Sequence, residues 1–189
     1  MKKYIILTIM MTMLSVQNIM AQSLEGYKEF NLKEEFTDNA FTFFSRAPIL
    51  LSGDKTAHNA MTIGWGSLGT VWNKDVLTVY VRPDRYTWQF LRDNRRFTVS
   101  FFPESCRPAL TVMGRLSGRD GDKVAAAGLT PRFLPQGITF AEATETFVCK
   151  KIYMAPMAYE DVPPYAQKIY QNGIEPHWIF MGEVTEHLV

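Results

Sequence analysis

The sequence predicts a mainly β fold, a closed or partly closed barrel with short peripheral helices. Three observations carry this. About six runs rich in β-branched and aromatic residues recur along the chain. Glycines interrupt one of these runs, as happens at bulges, barrel corners and close backbone approaches. The helical stretches are few and the strands irregularly spaced, which excludes a repeating βαβ sheet.

The elements follow in order. Residues 40–44 and 49–51 are apolar and aromatic, are broken by Pro48 and end at Ser52-Gly53-Asp54, so they predict one strand or two short ones and a turn. Residues 61–71 predict a strand punctuated by Gly64, Gly66 and Gly69. Residues 76–81 (VLTVYV) predict a buried strand. Residues 85–94 place Tyr86, Trp88, Phe90 and Leu91 at helical spacing. Residues 97–102 (FTVSFF) predict a strand stopped by Pro103. Residues 107–115 predict a short helix with Pro108 in its first turn. Residues 120–127 predict another, closed by Gly128. Residues 144–154 alternate as a strand until Ala155-Pro156. Pro163-Pro164 open a short amphipathic helix reaching Tyr170, and residues 178–184 (WIFMGEV) form the last strand.

Composition narrows the class. The chain has 189 residues, 47% hydrophobic and 21% charged, with a formal net charge of +1. That balance excludes a disordered or low-complexity chain and speaks against bulk-charge binding of nucleic acid. Cys106 and Cys149 are the two cysteines, too few for a disulfide framework; they read as separate thiols, or as one disulfide if the protein is exported.

Residues 1–21 read as a signal peptide. Lys2 and Lys3 form a positive start, the apolar run from Tyr4 to Val16 carries no charge, and Ile19-Met20-Ala21 supplies a small residue before Gln22. An exported, periplasmic protein is therefore expected. No other stretch is long and apolar enough for a membrane helix. Residues 22–39 form a charged lead-in, and residues 40–189 one domain.

No G-x-S-x-G elbow is present, and the three histidines (His58, His177, His187) show no metal-ligand spacing. No metal site is expected. Gly64, Gly66 and Gly69 have dinucleotide-fingerprint spacing, but no helix follows them to receive a pyrophosphate.

Three segments remain. Arg82-Pro83-Asp84-Arg85-Tyr86-Thr87 joins a strand end to a helix N-terminus, where free N–H groups and guanidiniums favour a phosphate. Ser117-Gly118-Arg119-Asp120-Gly121-Asp122-Lys123 is a second cation-bearing loop before a helix. In His58 to Gly66, small residues allow close approach of a flat ring, Asn59 and Thr62 are polar, and Trp65 offers an aromatic wall. Each segment alone is equally readable as a capped helix, solvated charge or a bulged barrel strand. Together they suggest a heteroaromatic ring with a phosphate tail.

With these segments the sequence resembles the flavin reductase-like family of FMN-binding split barrels, flavoredoxins included. The matching residues are Asn59-Ala60-Met61-Thr62-Ile63-Gly64-Trp65-Gly66, Val79-Tyr80-Val81-Arg82-Pro83 with Arg85-Tyr86-Thr87, the run 97–102, Ser117-Gly118-Arg119-Asp120 with Asp122-Lys123, and His177 to Val184. The resemblance implies a six-stranded split barrel that forms a homodimer, with one FMN per subunit. It implies a cofactor site made of Asn59, Ala60, Met61, Thr62, Gly64, Trp65, Arg82, Arg85, Tyr86, Thr87, Ser117 and Lys123. His177 would stand near the flavin or nicotinamide as the candidate catalytic residue; the alternative is a hydrogen-bonded strand-end histidine.

The implied activity is an oxidoreductase of flavin reductase type, taking electrons from NAD(P)H through FMN to free flavin or another acceptor. A non-enzymatic FMN-binding electron-transfer protein in the periplasm is the alternative. A barrel for another ligand, such as haem, or an interaction module is the third reading.

Overall fold

The computed structural model describes residue 26 and residues 41–189. The expected signal peptide and charged lead-in lie outside the described residues.

Nine strands and four short α-helices follow one another in the described part of the chain. The strands are β1 (Ile49–Gly53), β2 (His58–Thr62), β3 (Gly66–Val71), β4 (Lys74–Val81), β5 (Arg96–Phe101), β6 (Pro131–Leu134), β7 (Gly137–Phe140), β8 (Glu145–Pro156) and β9 (Trp178–Leu188). The helices are α1 (Tyr86–Asp93), α2 (Arg107–Arg115), α3 (Lys123–Ala127) and α4 (Pro164–Gln167).

Seven strands make one antiparallel sheet in the order β2-β1-β5-β8-β9-β4-β3. Its two outer strands, β2 and β3, are consecutive in the chain and joined only by residues 63–65. Flat, a sheet of this width would hold them about 29 Å apart. The link reaches at most about 14 Å. The sheet is therefore curled until its edges meet, which gives the expected barrel-like, mainly β fold.

Period-2 alternation sorts side chains between two cores. Leu50 faces the barrel interior with Leu77, Val79, Val99, Phe101, Phe147 and Phe180. Its neighbours Ile49 and Leu51 face outward, into a second core with Leu110, Met113, Ile138 and Phe140. Burying aliphatic and aromatic side chains of this kind contributes about 1.5–3 kcal/mol each. The second core seats α2, α3 and the β6–β7 hairpin on the outside of β1 and β5, and so sets the position of the α2–α3 loop.

Several expected elements differ. The run 61–71 is two strands, because the chain turns the barrel edge at residues 63–65; the main sheet thus gains a strand over the expected count. Phe43–Arg46 is a 3-10 turn and not a strand. A helical turn lets the adjacent Phe43 and Phe44 both enter the core, which an extended chain cannot do. The Arg46 guanidinium then covers the Phe101 ring at 4.6 Å. The β6–β7 hairpin was not expected. It is tied down by Thr98 Oγ1 donating to the Ile138 carbonyl at 2.5 Å, and by contacts of Thr139 Oγ1 with Ser100 Oγ (2.9 Å) and Thr146 Oγ1 (2.7 Å). The expected helix ending at Tyr170 is one turn of α4 followed by a 3-10 turn, Lys168–Tyr170.

Cys106 and Cys149 are both free thiols. Burial pushes the Cys149 thiol up, which leaves it an inert core residue. No described helix is long and apolar enough to cross a membrane.

Candidate functional site

The curled sheet brings three separated segments together: β2, the β4–α1 junction, and the loop from α2 to α3. Between them lies a cleft of about 230 Å³ lined by Asn59, Met61, Thr62, Arg85, Thr87 and Ser117, among others. A second cleft of about 360 Å³ continues from it, and both are bordered by Asn59, Tyr86, Gly118 and Lys123.

The clefts are framed by side-chain hydrogen bonds. Asn59 Nδ2 donates to Thr87 Oγ1 at 2.7 Å, tying β2 to the first turn of α1. Thr62 Oγ1 donates to the Leu110 carbonyl at 2.9 Å, tying the same strand to α2. Gly118 passes so close that a Cβ there would overlap the Asn59 side-chain oxygen and stand 3.0 Å from the Tyr86 ring. Only glycine lets the α2–α3 loop approach this closely.

Charge in the first cleft is strongly positive. Arg85, Arg115, Arg119 and Lys123 line it, against the single carboxylate of Asp84. Arg119 Nη1 donates to the Asp84 carbonyl at 2.9 Å, its guanidinium lies over the Tyr86 ring at 5.2 Å, and its own N–H donates to Ser117 Oγ at 3.2 Å. Arg115 makes no ion pair among the described residues. The N-terminus of α1 opens onto the same space with no side chain capping it. Its free N–H groups and the partial positive charge of the helix end complete an anion site.

Lys123 plays a double part. It is almost fully buried, and its Nζ donates to the carbonyls of Met113 and Leu116, both at 3.3 Å. It thereby satisfies backbone groups that α2 leaves open at its C-terminal end. Burial, and then the nearby Arg85, hold its pKa below the ordinary lysine value.

The other residues expected at the site lie outside the lining of the two clefts. Ala60 is fully buried in the outer core. Gly64 and Trp65 are on the β2–β3 link, outside the lining of both clefts. Arg82 also lies outside it, its guanidinium paired with Asp84 through Nε (3.2 Å) and Nη2 (3.0 Å). Trp65 is half exposed, and its ring centroid lies 4.5 Å from that of His177. His177 Nδ1 is 2.8 Å from the Tyr170 hydroxyl. Burial, and next the charge of Arg82, press the His177 pKa down to about 4, so the ring is neutral at neutral pH.

Sequence reasoning missed Arg115, Arg119 as a site residue, and Tyr170. Arg119 stood within a loop already singled out. Arg115 ends a helical run and Tyr170 sits in an irregular segment, so neither carried a motif.

Fold and cleft together define an antiparallel barrel protein with a cationic cleft. The model of the flavin reductase like domain matches residues 42–189. The chain belongs to that family. No curated protein matches it. Among solved structures it is similar to a flavoredoxin from Methanosarcina acetivorans (21% identity, 82% of this chain and 74% of that one, TM-score 0.58). It is also similar to an FMN-binding domain of a flavin reductase-like enzyme from Shewanella baltica (16%, 87% and 77%, TM-score 0.61). A third is an FMN-binding protein from Thermus thermophilus with bound p-hydroxybenzaldehyde (19%, 75% and 70%, TM-score 0.58). At these identities the likeness establishes the fold, a split barrel of the flavin reductase-like kind.

Proposed function

We infer that this protein binds FMN and acts as an oxidoreductase of flavin reductase type, passing electrons from NAD(P)H to free flavin or another acceptor. The observation that carries this reading is the uncapped N-terminus of α1 surrounded by Arg85, Arg115, Arg119 and Lys123. That donor set fits a phosphate ester. The adjoining clefts give room for a ribityl chain and ring, and Gly118 lets the α2–α3 loop close against Asn59 and Tyr86 at their border.

FMN, when bound, supplies the hydride and electron chemistry. This chain's own residues bind and orient it. Arg85 and Arg115 would neutralise its phosphate, and the α1 N–H groups would donate hydrogen bonds to the phosphate oxygens. The Asn59–Thr87 pair fixes the wall between strand and helix. His177, neutral and held by Tyr170, adds a polar group on the Trp65 side without adding charge. No acid–base dyad is required of the protein.

The reading includes a homodimer and an exported, periplasmic location, the latter resting on the sequence of residues 1–21. That leader also favours the second reading, an FMN-binding electron carrier, since soluble nicotinamide is scarce outside the cytoplasm. An absorbance spectrum of the purified protein tests both. Flavin bands that bleach anaerobically with NADH or NADPH support the reductase. Bands that persist with both move the assignment to the carrier. A colourless protein that takes up no added FMN overturns both.

A further inference from the structure

Between β8 and β9 the chain leaves the sheet at Pro156 and returns at Trp178, which are register partners. The excursion is closed at its base by the Met157 N–H, which donates to the His177 carbonyl at 2.9 Å. Its last helical turn, Lys168–Tyr170, carries Tyr170 into a buried position. The chain then turns back to the sheet through Asn172 and Gly173, both at positive φ. Tyr170 thus meets His177 edge to face, with ring centroids 5.6 Å apart and planes at 72°.

The two ring nitrogens of His177 stand in different settings. Nδ1 lies 2.8 Å from the Tyr170 hydroxyl. Nε2 makes no hydrogen bond among the described residues, yet it is not sealed from solvent. Burial and the charge of Arg82 keep the ring neutral at neutral pH, so one nitrogen carries a proton and the other does not. The hydroxyl of the buried Tyr170 has no other hydrogen-bond partner among the described residues. Were Nδ1 protonated, the hydroxyl would accept from it, and the phenolic proton would be left without an acceptor, which is costly in a buried group. With Nδ1 bare, the phenolic proton is satisfied and the imidazole proton sits on Nε2.

We propose that Tyr170 is a positioning residue for His177: its hydroxyl donates to Nδ1, locks the imidazole as the Nε2–H tautomer, and leaves an uncharged hydrogen-bond donor open beside the half-exposed Trp65 ring. Such an edge takes a carbonyl or amide oxygen and does not serve as a base at Nε2. The tautomer rests on these contacts alone, and its use by the bound electron donor rests on the function proposed above.

Nitrogen-15 NMR of the His177 ring in the FMN-free full chain tests the lock. At neutral pH the parent should show Nε2 protonated and Nδ1 bare. Tyr170→Phe keeps the aromatic ring, deletes the hydroxyl and should return His177 to a mixture of both tautomers, whereas a role in packing alone would leave the tautomer untouched. A protonated Nδ1 in the parent, or a single tautomer that survives Tyr170→Phe, overturns the proposal. If that variant fails to fold, the Tyr170 hydroxyl proton of the parent decides: it should exchange slowly with water and couple to Nδ1. The FMN-loaded protein tests the use of Nε2. His177→Gln, whose amide reaches the place of Nε2, should keep the KM for NADH within a few-fold, and His177→Asn, whose amide reaches only that of Nδ1, should raise it about tenfold. The reverse order, or equal effects, would remove Nε2 from that step. A protein that takes up no FMN, or whose FMN is not bleached by NADH, defeats the function proposed above, and the NMR result still decides the tautomer.

Discussion

Asn59 on β2 donates its side-chain N–H to the Thr87 hydroxyl on α1 at 2.7 Å, and both residues are buried. This one contact sets the spacing between the barrel edge and the helix whose N-terminus faces the cleft. Replacing Asn59 by Ala leaves the Thr87 hydroxyl without that partner and removes a wall of both clefts. The expected result is about 1–3 kcal/mol of lost stability and an FMN dissociation constant raised about tenfold. Urea unfolding and flavin fluorescence titration measure the two. An unchanged dissociation constant would detach Asn59 from the cofactor site.

The cations divide into engaged and available groups, and the division predicts unequal effects. Arg82 is already chelated to Asp84, Arg85 only grazes the same carboxylate at 3.9 Å, and Arg115 has no ion pair among the described residues. Arg115→Gln and Arg85→Gln should each raise the FMN dissociation constant about tenfold or more, since a bond to a charged group contributes about 1.5–3 kcal/mol. Arg82→Gln should cost less. Riboflavin, which lacks the phosphate, should bind all three variants like the parent. If riboflavin and FMN suffer equally, the phosphate is held elsewhere.

Gly118→Ala should be damaging in a way that Gly69→Ala is not. The new Cβ at 118 meets Asn59 and Tyr86, while at 69, on β3, it meets nothing within 4 Å. Overpacking of this kind costs about 1–3 kcal/mol. Thermal melting of both variants, with and without FMN, gives the comparison. A Gly118→Ala protein that melts with the parent and binds FMN normally contradicts the tight approach of the α2–α3 loop.

His177 makes stability depend on pH in a defined window. Its pKa is about 4 in the folded chain, against an ordinary value of 6.5. The unfolded chain therefore binds the proton more readily between these values. The stability that His177 confers by staying neutral is full above about pH 6.5 and is lost as pH falls toward 4. Resonances of the His177 ring should titrate near pH 4, and His177→Gln should flatten the stability profile between pH 6.5 and 4. Titration near 6.5 would mean that the ring is not enclosed by Trp65 and Tyr170.

How far the sequence could be read depended on whether a signal was local. Residues 76–81 and 97–102 announced themselves as strands because β-branched and aromatic residues fill both faces. The loops at 82–87 and 117–123 stood out as candidate anion sites because cations and a following helix stood together, and the fold brings parts of both to one cleft. What failed to show was tertiary. Phe43 and Phe44 look like strand residues until a barrel interior demands that both point inward. The β6–β7 hairpin owes its place to hydroxyl contacts with β5 that join residues about forty positions apart. Arg115 enters the cleft only because the outer core fixes the angle of α2.

Lys123 is the case where sequence and structure assign one residue two tasks. As an anion ligand alone, its loss would weaken FMN binding and leave the unliganded protein intact. The geometry adds a structural task, since Nζ donates to the carbonyls of Met113 and Leu116 from a buried position. Lys123→Met keeps the apolar stem and deletes the donor. It should lower the stability of the FMN-free protein by about 1–3 kcal/mol, the cost of leaving buried backbone acceptors unpaired. FMN affinity should also fall, but by less than in Arg115→Gln, because the lysine's donors are partly spent on α2. Melting of the FMN-free variant separates the two tasks. A normal melting temperature with weakened FMN binding would return Lys123 to the role of a simple anion ligand, and a lowered one with normal binding would remove it from the cofactor site altogether.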